Sequence, residues 1–190
     1  MIRHIAAGMC IGLASANVVA TPRALLAEES QVDFVVKEMG VPVPGKFTRF
    51  EAVIDMDSAN PEKSNVNMRI EIASLTTGND EADALATGSD WLDKTHAPFA
   101  SFQSKTIRPL SAGKFEATGT LSIRNKPRDI VLQFEQIDQP GGRTIVAGGF
   151  VIRRSDFGIG GGVWNEGGVV GEEIPVKLRL TLAPASAARK

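Results

Sequence analysis

Asn65-Val66-Asn67-Met68-Arg69-Ile70-Glu71-Ile72 alternates polar and apolar residues without a break. Successive side chains of a β-strand point to opposite faces, so Val66, Met68, Ile70 and Ile72 are predicted to face a core, and Asn65, Asn67, Arg69 and Glu71 to face water. The same period occurs upstream in Val32, Phe34 and Val36. Downstream it returns in Phe115, Ala117, Gly119, Leu121 and Ile123, then in Ile130, Leu132 and Phe134, and last in Ile174, Val176, Leu178, Leu180 and Leu182. One apolar and one polar face per strand is the pattern of antiparallel sheet.

Turn-forming clusters separate the runs: Val41-Pro42-Val43-Pro44-Gly45, Asn60-Pro61, Ala112-Gly113, Asn125-Lys126-Pro127 and Pro140-Gly141-Gly142. Runs near 30–39, 46–56, 64–75, 99–109, 114–124, 129–138, 143–154 and 173–183 predict eight strands. Eight strands can close into a barrel that is either filled by side chains or holds one small ligand, and closure removes exposed edges. Asp80 to Asp93 does not alternate and predicts a short helix or two helical turns, with Asn79 or Asp80 as cap. Phe157 to Glu173 is rich in glycine and is predicted to be loop. The fold class is therefore all-β, an eight-stranded antiparallel barrel with a short helix.

The chain opens with Arg3 and His4, an apolar run from Ile5 to Leu13, and small residues leading to Val18-Val19-Ala20. That is the layout of a secretory signal, predicted to span 1–20, with Ala24-Leu25-Leu26-Ala27 as a second cleavage possibility. The barrel domain is placed at 28–184. The run is interrupted by Ser15 and Asn17 and is shorter than the ~20 residues of a spanning helix, which argues against an anchor. Cys10 lies inside the apolar run behind the bulky Met9, so it does not suit a lipoprotein signal and is expected to leave with the leader. Removing residues 1–20, which carry one Arg and no acid, takes the formal charge from -1 to -2. The mature chain then has no thiol for disulfide, metal or nucleophile, and an exported chain of this kind suits a periplasm.

Function classes fall away in turn. The near-neutral charge and the lack of a basic cluster argue against nucleic acid. His96 is the single histidine left after export, and with no cysteine it makes neither a catalytic set nor a zinc site. Gly158-Ile159-Gly160-Gly161-Gly162 lacks the Gly-Lys-Ser/Thr ending of a phosphate loop, and Asp156-Phe157-Gly158 stands without the rest of the kinase motifs. What remains is apolar surface, with Trp91 and Trp164 in the two irregular segments. Periodicity alone does not separate a filled barrel from a hollow one. In a hollow one, burying about 400 Å² of alkyl chain at ~25 cal/mol/Å² stabilises a complex by roughly 10 kcal/mol before ordering costs.

Ser30-Gln31-Val32-Asp33-Phe34, Gly45-Lys46-Phe47 with Phe50, Ile72-Ala73-Ser74-Leu75-Thr76-Thr77-Gly78-Asn79, Gly119-Thr120-Leu121-Ser122-Ile123-Arg124, and Arg154-Ser155-Asp156-Phe157-Gly158-Ile159-Gly160 with Trp164 resemble the successive signatures of the YceI-like family. Lys37-Glu38-Met39-Gly40-Val41-Pro42-Val43 resembles the subgroup found beside or fused to b-type cytochromes. Asn125 stands where many relatives have glycine, and asparagine tolerates the positive φ such a turn needs.

The resemblance implies a lipocalin-like barrel, periplasmic in bacteria, that binds polyisoprenoid chains such as those of quinones; some relatives hold acyl lipids. It implies a wall rather than a catalytic set. The lining is expected at Phe34, Val36, Ile70, Ile72, Phe102, Leu121, Ile123, Leu132, Phe134, Phe150, Ile152, Val176, Leu178 and Leu180, with Trp91 and Trp164 at the mouth. Arg153, Arg154 and Asp156 are candidates for a polar contact to a head group, a surface salt-bridge cluster being the alternative. The expectation is a non-enzymatic binding or carrier protein with a bound isoprenoid or acyl lipid, no covalent cofactor and no metal. The alternative is an interaction module serving a membrane b-type cytochrome or redox system, and a homodimer is left open.

Overall fold

The computed structural model describes residues 23–57, 60–161, 164 and 169–184. The predicted leader with Cys10, and Gly162, Gly167 and Gly168 of the glycine-rich segment, lie outside these. A single antiparallel sheet contains β1 (Gln31–Glu38), β2 (Val41–Phe47), β3 (Phe50–Asp55), β4 (Asn65–Glu71), β5 (Leu75–Thr76), β6 (Phe99–Ser111), β7 (Lys114–Ile123), β8 (Lys126–Asp138), β9 (Thr144–Arg153) and β10 (Glu173–Leu182). Among the described residues the one α-helix, α1, spans Asp80–Ala86. Strand order is β3-β4-β6-β7-β8-β9-β10-β1-β2-β5.

The ends of this order meet through the chain. Only Thr48 and Arg49 separate β2 from β3, so this corner joins one margin of the sheet to the other and curls it around a core. The N-terminal segment staples the far end: Arg23 N–H donates to Ile54 O at 3.2 Å and Leu26 N–H to Thr181 O at 2.8 Å, linking β3 to β10. The core toward that end is formed by Val32, Ile54, Met68, Leu180 and Leu182 beside Ile107, Phe115, Ala117, Leu132 and Phe134. The other end carries α1, the segment 87–98, and residues 154–161, Trp164 and 169–172.

The eight expected strands become ten. Val41 to Gly45, read as a turn because of its two prolines, is strand β2, paired with β1 from Val32↔Phe47 to Glu38↔Val41. Proline is tolerated because β5 covers β2 only at Lys46 and Phe47; Pro42 and Pro44 lie on the same side of a strand whose edge is otherwise open. The expected run 64–75 is interrupted by a 3₁₀ turn at Ile72–Ser74, which leaves Leu75–Thr76 as a separate short strand. The helix is also shorter than the predicted Asp80–Asp93. Asn79 caps it by accepting from Glu81 N–H and Ala82 N–H, both at 3.0 Å. It stops where the Thr87 hydroxyl donates back to Asp83 O at 2.8 Å, and turns follow.

Candidate functional site

Alternation in the strands sends one set of side chains inward from around the whole curl, and these enclose two adjoining chambers. The deeper, of about 60 Å³, is lined among others by Ile54, Met68, Phe102, Leu132, Phe134, Leu178 and Leu180. The upper, of about 140 Å³, is lined by residues that include Val36, Ile72, Trp91, Ile123, Ile152 and Ile174. Ile70, Leu121, Phe150 and Val176, from four different strands, border both and form a neck between them. Val36, Ile70, Phe102, Phe150, Val176 and Leu178 point inward yet are only half-buried, because the surface they keep faces this space.

The upper chamber opens beside α1. Phe34, Val36, Ala86 and Trp91 line both it and an outer groove of about 360 Å³, which Leu85, Trp164 and Val170 continue. A separate groove of about 650 Å³ runs along the outer face of β1 and β2 past Asp33, Lys46 and Lys177; it meets the interior wall only at Phe34 and Gly45.

All sixteen expected lining residues face these spaces: fourteen on the chamber walls and the two tryptophans at the mouth, where their rings meet edge-on with centroids 5.5 Å apart. Residues not singled out from the sequence complete the wall. Val66 and Met68 share the face of Ile70, and Ile174 that of Val176, so period two contained that signal. Phe47, Leu75, Leu92 and Ile159 come from the corner and the irregular segments, where no period pointed to them.

Two arginines hold the mouth together through backbone carbonyls. Arg154, buried, donates from Nη1 to Ile159 O and Gly160 O, each at 2.9 Å, and from Nη2 to Trp164 O at 3.1 Å. Arg154 therefore ties Trp164 in place from a buried position, while its Nε lies 3.8 Å from Glu172 and so joins it to the expected salt-bridge cluster with Arg153. Arg124 reaches from the β7–β8 turn to Ser89 O at 2.9 Å, Asp90 O at 3.1 Å and Gly158 O. That turn has Arg124 and Asn125 at φ of 53° and 58°, a conformation asparagine accepts readily. Arg153 is exposed, 3.7 Å from Glu172. The Ser155 hydroxyl hydrogen-bonds Glu172, and this holds its carboxyl below the ordinary range, with Arg154 and Arg153 adding to the effect. Under α1, burial pushes the Asp83 carboxyl up, but the Thr77 hydroxyl and amide, both at 2.7 Å, and Thr76 bring it below its usual value.

His96 is exposed and pairs through Nδ1 with Asp93 at 2.9 Å. Among the described residues no group of three or more His, Cys, Asp or Glu side chains is placed to hold a metal.

This geometry has counterparts. Residues 24–182 match the model of the YceI-like domain. The chain belongs to the YceI-like family. A relative named UPF0312 protein from Pseudomonas savastanoi pv. phaseolicola is 28% identical over 172 residues, covering 85% of this chain and 90% of that one. The solved structure of Burkholderia cenocepacia BcnA superposes with a TM-score of 0.79 at 30% identity, covering 83% of this chain and 98% of that one. A polyisoprenoid binding domain from Saccharophagus degradans superposes with a TM-score of 0.66 at 17% identity, over 85% of this chain and 97% of that one, a likeness of fold. The YceI-like match begins at residue 24, where the structure has the chain already paired with β3 and β10.

Proposed function

We propose that this protein is a periplasmic binding or carrier protein that holds a long apolar lipid, a polyisoprenoid such as a quinone tail, inside the curled sheet without covalent chemistry. The observation that carries the reading is the pair of chambers walled by aliphatic and aromatic side chains, the upper of which adjoins the groove beside α1. The polyisoprenoid binding domain of the same fold supports the choice of ligand. Export follows from the leader-like start; cleavage after Ala20 keeps Arg23 to Leu26, which staple β3 to β10.

The free space also sets a condition. A dry cavity of about 150 Å³ admits a benzene-sized guest, so the upper chamber at about 140 Å³ takes the first few carbons of a tail. A longer tail has to spread the neck, so binding draws on a more open conformation and its affinity is reduced by the cost of reaching it.

Organic extraction of protein purified from periplasm, followed by mass spectrometry, is expected to release a polyisoprenoid or acyl lipid. Protein that folds and fractionates correctly yet releases none, and takes up none when offered, overturns the reading. Ile70→Asp places an unpaired carboxylate in the neck and is expected to abolish loading.

A further inference from the structure

The β1–β2 hairpin carries the inner face of the sheet out past the mouth. Val32, Phe34, Val36 and Phe47 line the upper chamber. Cross-strand partners share a face, so the pairing continues that face through Val36↔Val43 to Glu38↔Val41. Val36 and Val43 border the outer groove, which Leu85 of α1 also lines. Among the described residues Met39, at the hairpin tip, and Val41 beside it are the most exposed large apolar residues, at 76% and 62%, and Leu85 is 46% exposed. The hairpin end is braced: Met39 N–H donates to Val169 O at 2.6 Å and Gly171 N–H to Lys37 O at 2.7 Å.

The backbone of the tip makes this exposure harder to explain from within the fold. Met39 and Gly40 have φ of 49° and 82°, the positive values of a two-residue hairpin turn that favours Asn-Gly. A bulky residue is disfavoured there. The other described non-glycine residues with positive φ have side chains bonded within the molecule: Asp93 to His96, Arg124 to Ser89 O and Asp90 O, and Asn125 to His96 O at 3.2 Å. Met39 combines a disfavoured conformation with a side chain left in water. Val53, Val131 and Val151 are exposed as well, but they alternate with the inward Ile54, Leu132 and Ile152 and so stand on the outer face of the sheet.

We propose that the end of the β1–β2 hairpin docks on a phospholipid bilayer, seating Met39 and Val41 in its apolar layer and setting the mouth against the membrane. A molecule with a long apolar tail partitions into a membrane rather than water, so loading and delivery need a contact that keeps the tail dry. The face running through Val41, Val43 and Val36 provides one, because it is continuous with the wall of the upper chamber. The last charges on the hairpin are Lys37 and Glu38, one of each sign, and α1 opens with Asp80, Glu81 and Asp83. The contact therefore rests on apolar area and not on attraction to anionic head groups. This inference rests on the lipid-binding reading and adds the surface where the lipid changes hands.

Geranylgeraniol and phosphatidylcholine vesicles test this. Transfer from loaded protein to vesicles is expected to quicken in proportion to vesicle concentration, as a collision requires; a rate independent of vesicle concentration, the mark of release into water, overturns the proposal. Met39→Asn suits the turn, so it should melt at a higher temperature than wild type and bind geranylgeraniol equally. It should transfer the lipid about tenfold more slowly, the lower end of what burying one large apolar side chain contributes. Val41→Thr keeps a β-branched residue and should also slow transfer; wild-type rates in both variants overturn the proposal. In ¹⁵N-labelled wild type, spin-labelled phosphatidylcholine in the vesicles should broaden the amide signals of Met39, Gly40 and Val41 before those of Val53, Val131 and Val151, and the reverse order overturns it. Adding phosphatidylglycerol should not speed transfer; acceleration would replace the apolar contact by a charged one. Docking on native membranes with none on pure phosphatidylcholine would replace the bilayer by a protein receptor. Vesicle docking without any uptake of geranylgeraniol overturns the lipid-binding reading and leaves the docking surface standing.

Discussion

The rings of Phe34 and Phe102 lie against glycines on the inner wall, and the Cα and Cβ of Phe134 lie close to a third. A methyl group at Gly45 would sit inside the ring of Phe34, one at Gly119 would come within 2.5 Å of Phe102 Cζ, and one at Gly148 within 2.7 Å of Phe134 Cβ. Phe34↔Gly45 and Phe134↔Gly148 are directly paired across strands, and Phe102 reaches Gly119 diagonally from its partner Leu121. Glycine inside a strand marks a close approach; at Gly45 and Gly119 the approaching group includes an aromatic ring, and at Gly148 it is Gln133 O with the Cβ and Cα of Phe134. The three sites differ in what would have to move. At Gly119 the added methyl also meets the Gln103 carbonyl at 2.5 Å, which is fixed backbone, whereas at Gly45 the three nearest atoms all belong to the Phe34 ring. Gly119→Ala is therefore expected to destabilise the fold by about 1–3 kcal/mol, the usual cost of overpacking, measured by urea unfolding. Gly45→Ala should change stability less and instead turn Phe34 into the upper chamber, which would show as weakened lipid uptake. An equal stability loss at both sites would contradict this account.

At the scale of elements, the strands that alternate cleanly were legible in the sequence, and those that change phase were not. β6 is the instructive case: Ala100, Phe102 and Ser104 point inward on even positions, then the pairing shifts between Ser104 and Thr106 and the buried residue becomes Ile107. A bulge adds one residue and reverses the parity of everything after it, so period two read straight through mislays the far half of the strand. β2 was hidden for a different reason, since two prolines in five residues signal a turn unless the strand's open edge is known. The stretch after β9 had no period at all; Arg154 holds Ile159, Gly160 and Trp164, and Ser155 bonds Glu172. That second tie has a pH dependence. The Glu172 carboxyl is held low by Ser155, then by Arg154 and Arg153, against the opposing effect of burial. A carboxylate with a depressed folded-state pKa stabilises the fold above its unfolded value and loses that contribution as pH falls through the folded one. The loop is expected to stay latched at neutral pH and to loosen on acidification below the ordinary carboxylate range. Tryptophan fluorescence should report this as the Trp91–Trp164 contact parts. Glu172→Gln should remove that acid step; an unchanged acid transition in this variant would assign the step to another carboxylate.

For the whole molecule, hollowness is a matter of volume, and alternation carries no volume. The same inward residues could have met at the centre, as they do around Ile107 and Phe115 at the closed end, where Phe115 and Phe134 stack with centroids 5.5 Å apart. Toward the mouth the interior stays open, and it divides at the neck of Ile70, Leu121, Phe150 and Val176. Phe150 is the bulkiest of the four, borders both chambers and is half-buried, so its ring governs whether a tail passes into the deeper one. Phe150→Ala joins the chambers. Without ligand the variant is expected to lose about 3–5 kcal/mol, the cost of deleting a phenyl ring from a packed wall. With ligand the balance changes, because a lipid that binds the folded state and fills the new space stabilises it by mass action. Thermal melts across a series of prenyl alcohols of increasing length should then show a larger stabilisation of the variant than of wild type by the longer members, and a similar one by the shortest. Equal stabilisation of the two proteins at every length would mean that the tail never reaches the neck.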